Sequence, residues 1–258
     1  MSRKPNRPEG LWFSQNYLTS ARTIERLLDR TDLCAQDHVI EIGPGKGHIT
    51  RALLARCGRV TAVELDPGHI ARLRDRFAQQ AGLTLVEGDF LTWPLPRRGR
   101  YKVFANIPFH LTTAILRRLT QALNPPEAIY LIVERGAALR FLGRPRESLQ
   151  SLLLKPYYTG KIACPVSREA FHPVPRCDCA LLALARRDQP DLPANQRAAF
   201  ERFLAEGLHS GGASVRRQMT NRQIQLALRQ ANAQPVARGE IDYIQWLCLF
   251  RWCVRAGR

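Results

Sequence analysis

The chain has 258 residues, 45% of them hydrophobic, which is enough for one large and one small domain, each with a core. Thirty-nine Lys and Arg against 22 Asp and Glu leave a formal charge of +17, which points to a polyanionic partner, nucleic acid before an anionic membrane. No apolar run approaches the roughly 20 residues that span a bilayer, and the opening MSRKPNRPEG has no apolar h-region, so a cytoplasmic protein with no membrane partner is expected.

In chain order, residues 1–10 interleave Arg3, Lys4 and Arg7 with Pro5 and Pro8 and read as a disordered basic tail, either an arm for RNA or simply solvated. Trp12, Phe13 and Tyr17 make the stretch from Leu11 to Leu18 too apolar for a free end, and it should cover part of a sheet edge. A helix is expected from about Ser20 to Arg30, capped by Ser20 and turning Ile24, Leu27 and Leu28 inward.

The stretch Val39 to Asp66 organises the rest. Val39 to Ile42 reads as a strand that stops at Gly43-Pro44-Gly45-Lys46-Gly47, where glycines free the backbone to turn beside a ligand. Ile49, Leu53 and Leu54 then fall at helical spacing, and Val60 to Leu65 has the β-branched character of a second buried strand. In such a βαβ unit the glycine turn and the end of the second strand share the crevice where nucleotide-like ligands bind. Glu64 stands there, about twenty residues after Gly43, where an acid meets ribose hydroxyls. An ordinary glycine turn in an α/β sheet would produce part of the same pattern.

A second helix follows over Pro67 to Gln80, and a third strand over Leu83 to Asp89 sets Asp89 at the crevice edge, as a ligand acid or as a helix cap. Lys102 to Ala105 is the fourth strand and ends in Asn106-Ile107-Pro108-Phe109. An amide, a backbone carbonyl and an aromatic ring at a strand end can address one planar base, and an Asn-Pro turn is the plainer alternative. Leu111 to Leu123 is helical, Ala128 to Val133 is the fifth strand, and Arg140, Arg144 and Arg146 cluster in an exposed basic loop or helix end. Another helix through Leu149, Leu152 and Leu153 leads to strands at Tyr158 to Val166 and Cys179 to Ala185, with Phe171-His172-Pro173-Val174-Pro175 between them as a rigid loop presenting one ring.

RRDQPDLPA from Arg186 reads as a linker, so the expected domains are 1–187 and 188–258. The second should be all-helical, with helices near 195–207, 214–231 and 239–254. Its core should hold Phe200, Phe203, Leu204, Ile224, Leu228, Ile244, Leu247 and Phe250, with Arg216, Arg217, Arg222 and Arg229 making the middle helix basic. The seven cysteines lack zinc spacing: Cys177 and Cys179 fit alternate strand positions, and Cys34, Cys57, Cys164, Cys248 and Cys253 fit small buried hydrophobes, so no metal is expected.

Gln15-Asn16-Tyr17-Leu18, Glu41-Ile42-Gly43-Pro44-Gly45-Lys46-Gly47, Glu64, Gly88-Asp89, the Asn106 stretch and the Phe171 stretch occur in the order of the ribosomal RNA adenine-N6 methyltransferases, which the chain resembles over nearly its whole length. GKGHIT, NIPF and the short helical tail resemble the erythromycin-resistance (Erm) branch acting on 23S RNA; the small-subunit dimethyladenosine transferases are the near alternative. The resemblance implies an α/β fold, a Rossmann-like methyltransferase sheet with helices on both faces, and S-adenosylmethionine bound by Asn16, Leu18, Gly43, Glu64, Asp89 and Asn106. It implies that Asn106, Ile107, Phe109 and Phe171 hold a flipped adenine, and that the partner is ribosomal RNA, 23S before full ribosome assembly, met by a monomer. The RNA footprint is expected mainly on the catalytic domain, with Arg140, Arg144 and Arg146 near its edge, because the target must reach Asn106. Phe109 stands where the family often has Tyr, and Arg176-Cys177 where it often has Lys-Val. A nicotinamide-dependent dehydrogenase would share the glycine turn and Glu64 but leaves NIPF and the charge unexplained. A non-catalytic RNA-binding module leaves the crevice acids unexplained.

Overall fold

The computed structural model describes residues 16–210, 219–230, 232–233 and 241–256. Expectations for the basic tail, for Trp12 and Phe13, and for Arg216 and Arg217 lie outside them. A seven-stranded sheet runs in the order β4-β3-β2-β5-β6-β9-β7, with β2 His38–Ile42, β3 Arg59–Glu64, β4 Leu83–Glu87, β5 Lys102–Asn106, β6 Ala128–Glu134, β7 Tyr158–Val166 and β9 Cys179–Arg186. The pairs β2·β3, β3·β4, β2·β5 and β5·β6 are parallel. Strand order reverses between β2 and β5, and in an open α/β sheet a crevice forms at the carboxyl ends beside that reversal. Successive residues of β2, β5 and β6 are buried, so both faces are covered, which is why these strands read as continuous apolar runs.

On one face Val39, Val60, Phe104 and Tyr130 share a core with Leu27 and Leu28 of α1 (Ala21–Leu28) and Leu53 of α2 (His48–Arg56). Ser20 caps α1, its Oγ accepting from Thr23 N at 3.3 Å. α3 (Pro67–Arg76) stops short of Gln80: Phe77 leaves helical geometry, and Gln80 N donates to Phe77 O as a tighter final turn. A short ladder pairs β1 (Tyr17–Leu18) with β8 (Phe171–His172), matching Tyr17 to His172 and Leu18 to Phe171.

The chain forms two compact units, Met1–Arg135 with Lys161–Leu184 and Gly136–Gly160 with Ala185–Arg258. A single cut after residue 187 would have left α5 (Arg135–Phe141) and α6 (Leu149–Leu154) with the sheet, whereas Gly136–Gly160 groups with the C-terminal residues. Apolar burial explains it: Leu152 lies in one cluster with Phe200 and Leu204 of α7 (Arg197–His209), Ala227 of α8 (Asn221–Gln230), and Trp246, Leu247 and Phe250 of α9 (Tyr243–Arg255). The expected core residue Ile244 is 48% exposed. α9 is apolar almost all round, so its sequence does not declare which positions stay outside; the structure buries Tyr243, Gln245, Trp246, Leu247, Cys248, Leu249, Phe250 and Cys253. Cys34 is exposed and Cys164 half-buried, contrary to expectation, and none of the seven thiols is joined in a disulfide.

At the amino ends of the strands, Lys102 of β5 is buried and its Nζ reaches Asp37 Oδ2 and Asp32 Oδ1, both at 3.0 Å. The Tyr130 hydroxyl donates to Asp32 Oδ1 at 2.6 Å. Burial alone would raise the Asp32 carboxyl, but the hydrogen bonds from Tyr130 and Lys102 outweigh it and hold the group below its usual value. Burial would lower Lys102, and its bonds to Asp37 and Asp32 raise it instead. Asp32 therefore contributes stability that is present above 3.8 and lost as pH falls through its folded value. Lys102 contributes stability that is present below 10.5 and lost as pH rises through its folded value. Lys102→Met leaves the mostly buried Asp37 without its cation and should cost about 3 kcal/mol in urea unfolding, a loss constant from about pH 5 to 9 and smaller in acid. A loss under about 1 kcal/mol at neutral pH would show the cluster to be a solvent-screened surface pair.

Candidate active site

A cavity of about 150 Å³ opens at the carboxyl ends of β2, β3, β4 and β5. Its wall takes Gly43 and Gly45 after β2, Glu64 and Leu65 at the end of β3, Gly88 and Asp89 after β4, and Asn106, Ile107 and Phe109 at the end of β5. Asn16 and Tyr17 close it from the start of the described chain. Residues far apart in sequence therefore meet because parallel strands deliver all their carboxyl ends to one edge.

Gly43 and Gly45 adopt φ of +65° and +55°, the left-handed region that disfavours a side chain. A Cβ on Gly43 would meet nothing within 4 Å, so this part of the wall leaves room for a ligand to touch backbone. A Cβ on Gly45 would lie 2.8 Å from the Tyr17 ring, which rests on the loop under Lys46 Nζ at 5.1 Å from its centroid. Burial, then the negative charges of Glu64 and Asp66, push the Tyr17 hydroxyl up, so it stays a neutral phenol.

Glu64 is 3% exposed, and each oxygen takes one backbone donor: Gly45 N to Oε2 and Asp66 N to Oε1, both at 2.9 Å. A carboxylate has about four acceptor sites, so lone pairs remain for two hydroxyls. That donor set fits the ribose of an adenosine-bearing cofactor. Asp89 caps a turn and not a helix: Oδ1 accepts from Leu91 N at 2.8 Å, and the exposed residue lines the cavity. Asn106 Nδ2 donates to the Asn16 carbonyl at 2.7 Å, which commits the amide nitrogen and leaves Oδ1 as an acceptor. Thr112 Oγ1 donates to the Phe109 carbonyl at 2.8 Å and fixes the turn that carries the ring.

Two expected residues are not on this wall. Leu18 and Phe171 are 3% and 2% exposed and belong to the apolar core behind it, because their pairing in the β1·β8 ladder goes with rings and methyls packed inward. Phe171 is thus not the presented ring of a rigid loop. Arg140, Arg144 and Arg146 are exposed and belong to the second compact unit. The sequence reading missed Tyr17, Leu65, Phe90 and His110 as wall residues. For Tyr17 a signal existed in its place within the Gln15-Asn16-Tyr17-Leu18 string; for the others only the fold reveals the position. Among the described residues no group of His, Cys, Asp and Glu could hold a metal ion, and no helix is long and apolar enough to cross a membrane.

Behind the wall, Glu41 of β2 is 1% exposed. Burial raises its carboxyl to about 8, Glu64 adding to the effect and neighbouring Thr50 opposing it. Its Oε2 and the Thr50 Oγ1 are buried without a hydrogen-bond partner of good geometry.

Comparison with known proteins agrees with this geometry. The family described as Ribosomal RNA adenine dimethylase matches residues 11–252. An rRNA adenine N-6-methyltransferase of Limosilactobacillus reuteri is 31% identical over 92% of this chain and 93% of its own length. A Ribosomal RNA small subunit methyltransferase A of Synechococcus sp. (strain JA-2-3B'a(2-13)) is 34% identical over 92% of this chain and 90% of its own. The crystal structure of the 23S rRNA methyltransferase ErmE superposes with a TM-score of 0.80 at 28% identity, covering 92% of this chain and 99% of that one.

The Glu41 carboxyl titrates near 4.5 in the unfolded chain and near 8 in the folded one, so its contribution to stability is whole below 4.5 and is lost as pH rises through about 8. Glu41→Gln keeps the neutral shape and removes the titration. Its stability relative to the parent should rise by up to about 1.4 kcal/mol per pH unit between about pH 5 and 8, read from urea midpoints. A pH-independent difference would show that Glu41 ionises as an ordinary carboxylate.

Proposed function

The chain belongs to the ribosomal RNA adenine dimethylase family, and from that premise we propose that it methylates the N6 amine of one adenine in 23S ribosomal RNA, giving resistance to macrolide-type antibiotics. The general activity, adenine-N6 methylation of ribosomal RNA, follows from the family and from relatives that match nearly end to end. The observation that carries the reading is the convergence of Gly43, Glu64, Asp89 and Asn106 on one cavity at four strand ends. The 23S target is supported by the similarity to ErmE; the match to a small-subunit methyltransferase favours 16S RNA as the second reading.

S-adenosylmethionine fits the wall as methyl donor and supplies an electrophilic methyl group on a sulfonium sulfur. Glu64 would accept from its ribose, Asp89 from its adenine amine, and Gly43 and Asn16 would meet it through backbone. Adenine N6 is a weak nucleophile because its lone pair is delocalised into the ring. Asn106 Oδ1 and the Ile107 carbonyl accept from that amine, hold it in line and favour its pyramidal form, which is where a rate gain is available without a strong base. Phe109 offers a stacking face that offsets part of the cost of taking the base out of its stack. It stacks without a hydroxyl, so no hydrogen bond from that ring takes part. Leu18 and Phe171 support the cavity from the core. Arg140, Arg144 and Arg146 contact phosphates, in keeping with the net charge of +17. The enzyme works as a cytoplasmic monomer on RNA not yet fully assembled into ribosomes.

Protein-free 23S and 16S RNA, each incubated with labelled donor and mapped for methylated adenine, separate the two readings. A single labelled adenine in 23S RNA is expected, and label confined to 16S RNA would establish the second reading. Asn106→Ala should lower single-turnover methylation by about a hundredfold or more, because in-line geometry is lost, while RNA affinity stays within a few-fold. A parental rate in that variant would return the NIPF stretch to an ordinary strand-end turn.

A further inference from the structure

The turn that follows Glu64 carries a polar side chain for which the roles above have no use. Asp66 caps α3, its Oδ1 accepting from Gly68 N at 2.6 Å and from His69 N at 3.2 Å. Helical side chains lean toward the helix N-terminus, so the cap fixes His69 where its ring is carried back onto the strand end. Its Nδ1 lies 3.7 Å from Glu64 Oε2. The residue is 9% exposed and Nδ1 is buried without a hydrogen-bond partner. Tyr17 closes the other side, its ring edge-to-face with the imidazole at a centroid separation of 6.0 Å and 87°, while lying against Gly45.

A buried ring nitrogen with no partner is rare, and one aimed at a carboxylate that itself faces a ligand cavity has an evident use. We propose that His69 is a positioning residue for Glu64. With the proton on Nδ1 it donates to Oε2 as the carboxylate turns to receive the ribose, closing the present gap. Glu64 is then held from three sides, by Gly45 N, Asp66 N and His69, which leaves one acceptor site, on Oε1, for a ribose hydroxyl. An apolar residue here would fill the space and let the carboxylate rock, so fewer of its orientations would suit that hydroxyl. The inference rests on the reading of Glu64 as the ribose acceptor.

The test is a double-mutant cycle read by calorimetry with S-adenosylhomocysteine, the demethylated donor, on the full chain. His69→Leu should weaken binding about tenfold in the parent and add nothing in a Glu64→Gln background. His69→Asn, which keeps a donor near the Nδ1 position, should stay within about threefold of the parent. His69→Ala serves as a second donor-free variant where His69→Leu melts early. In methylation assays the donor KM should rise while kcat at saturation stays near the parental value. Equal losses from His69→Leu with and without Glu64 would reveal a packing role and overturn the inference, leaving the role of Glu64 intact. Parental affinity in Glu64→Gln would overturn both.

Discussion

A carboxylate removed from water costs several kcal/mol unless its oxygens are bonded, and Glu64 meets that condition by reaching in two directions at once. Oε2 takes the amide of Gly45 and so fixes the glycine loop after β2; Oε1 takes the amide of Asp66 and so fixes the entry to α3. Neither bond uses a side-chain donor, so the acid and two backbone segments are set together. The position of the loop then determines where Tyr17 can rest, since the absence of a Cβ on Gly45 is what admits its ring. Asn16, next to Tyr17, in turn supplies the carbonyl that orients Asn106. One buried acid thereby connects the region assigned to the donor with the region assigned to the target base.

Much of this was legible because it is local. The glycine string, the spacing to Glu64, and Asp89 and Asn106 at strand ends follow from runs of apolar residues and their interruptions, and all four positions line the cavity. What was illegible depends on pairings distant in sequence. Leu18 and Phe171 carry the residue types of a ligand wall, yet a ladder between the start of the described chain and a late loop goes with their burial in the core. Lys102 reads in the sequence only as the first residue of a strand, and its two aspartates lie in a loop that carries no pattern. In α9 the apolar residues are too many to select a face, so Ile244 was misjudged. The grouping of α5 and α6 with the C-terminal helices was hidden for a related reason: Leu152 looks the same whichever core receives it.

The two edges of the sheet use ionic groups in opposite ways. At the amino edge Lys102, Asp32, Asp37 and Tyr130 satisfy one another. At the carboxyl edge the acids are bonded only in part, by backbone amides, and keep acceptor capacity toward the cavity. A net charge of +17 attracts a polyanion to the surface without choosing a sequence, so the choice of base falls to the acceptors assigned to it, Asn106 Oδ1 and the Ile107 carbonyl.

The β1·β8 ladder has one further consequence. It joins only two residue pairs, whereas β2 and β3 are joined over five. A ladder of two pairs has little hold of its own, and the burial of Leu18 and Phe171 in the core supplies it. Asn16 and Tyr17, which reach the cavity wall, are the residues at that anchor. A contact with the core thus sets where the carbonyl bonded to Asn106 and the ring on the glycine loop stand.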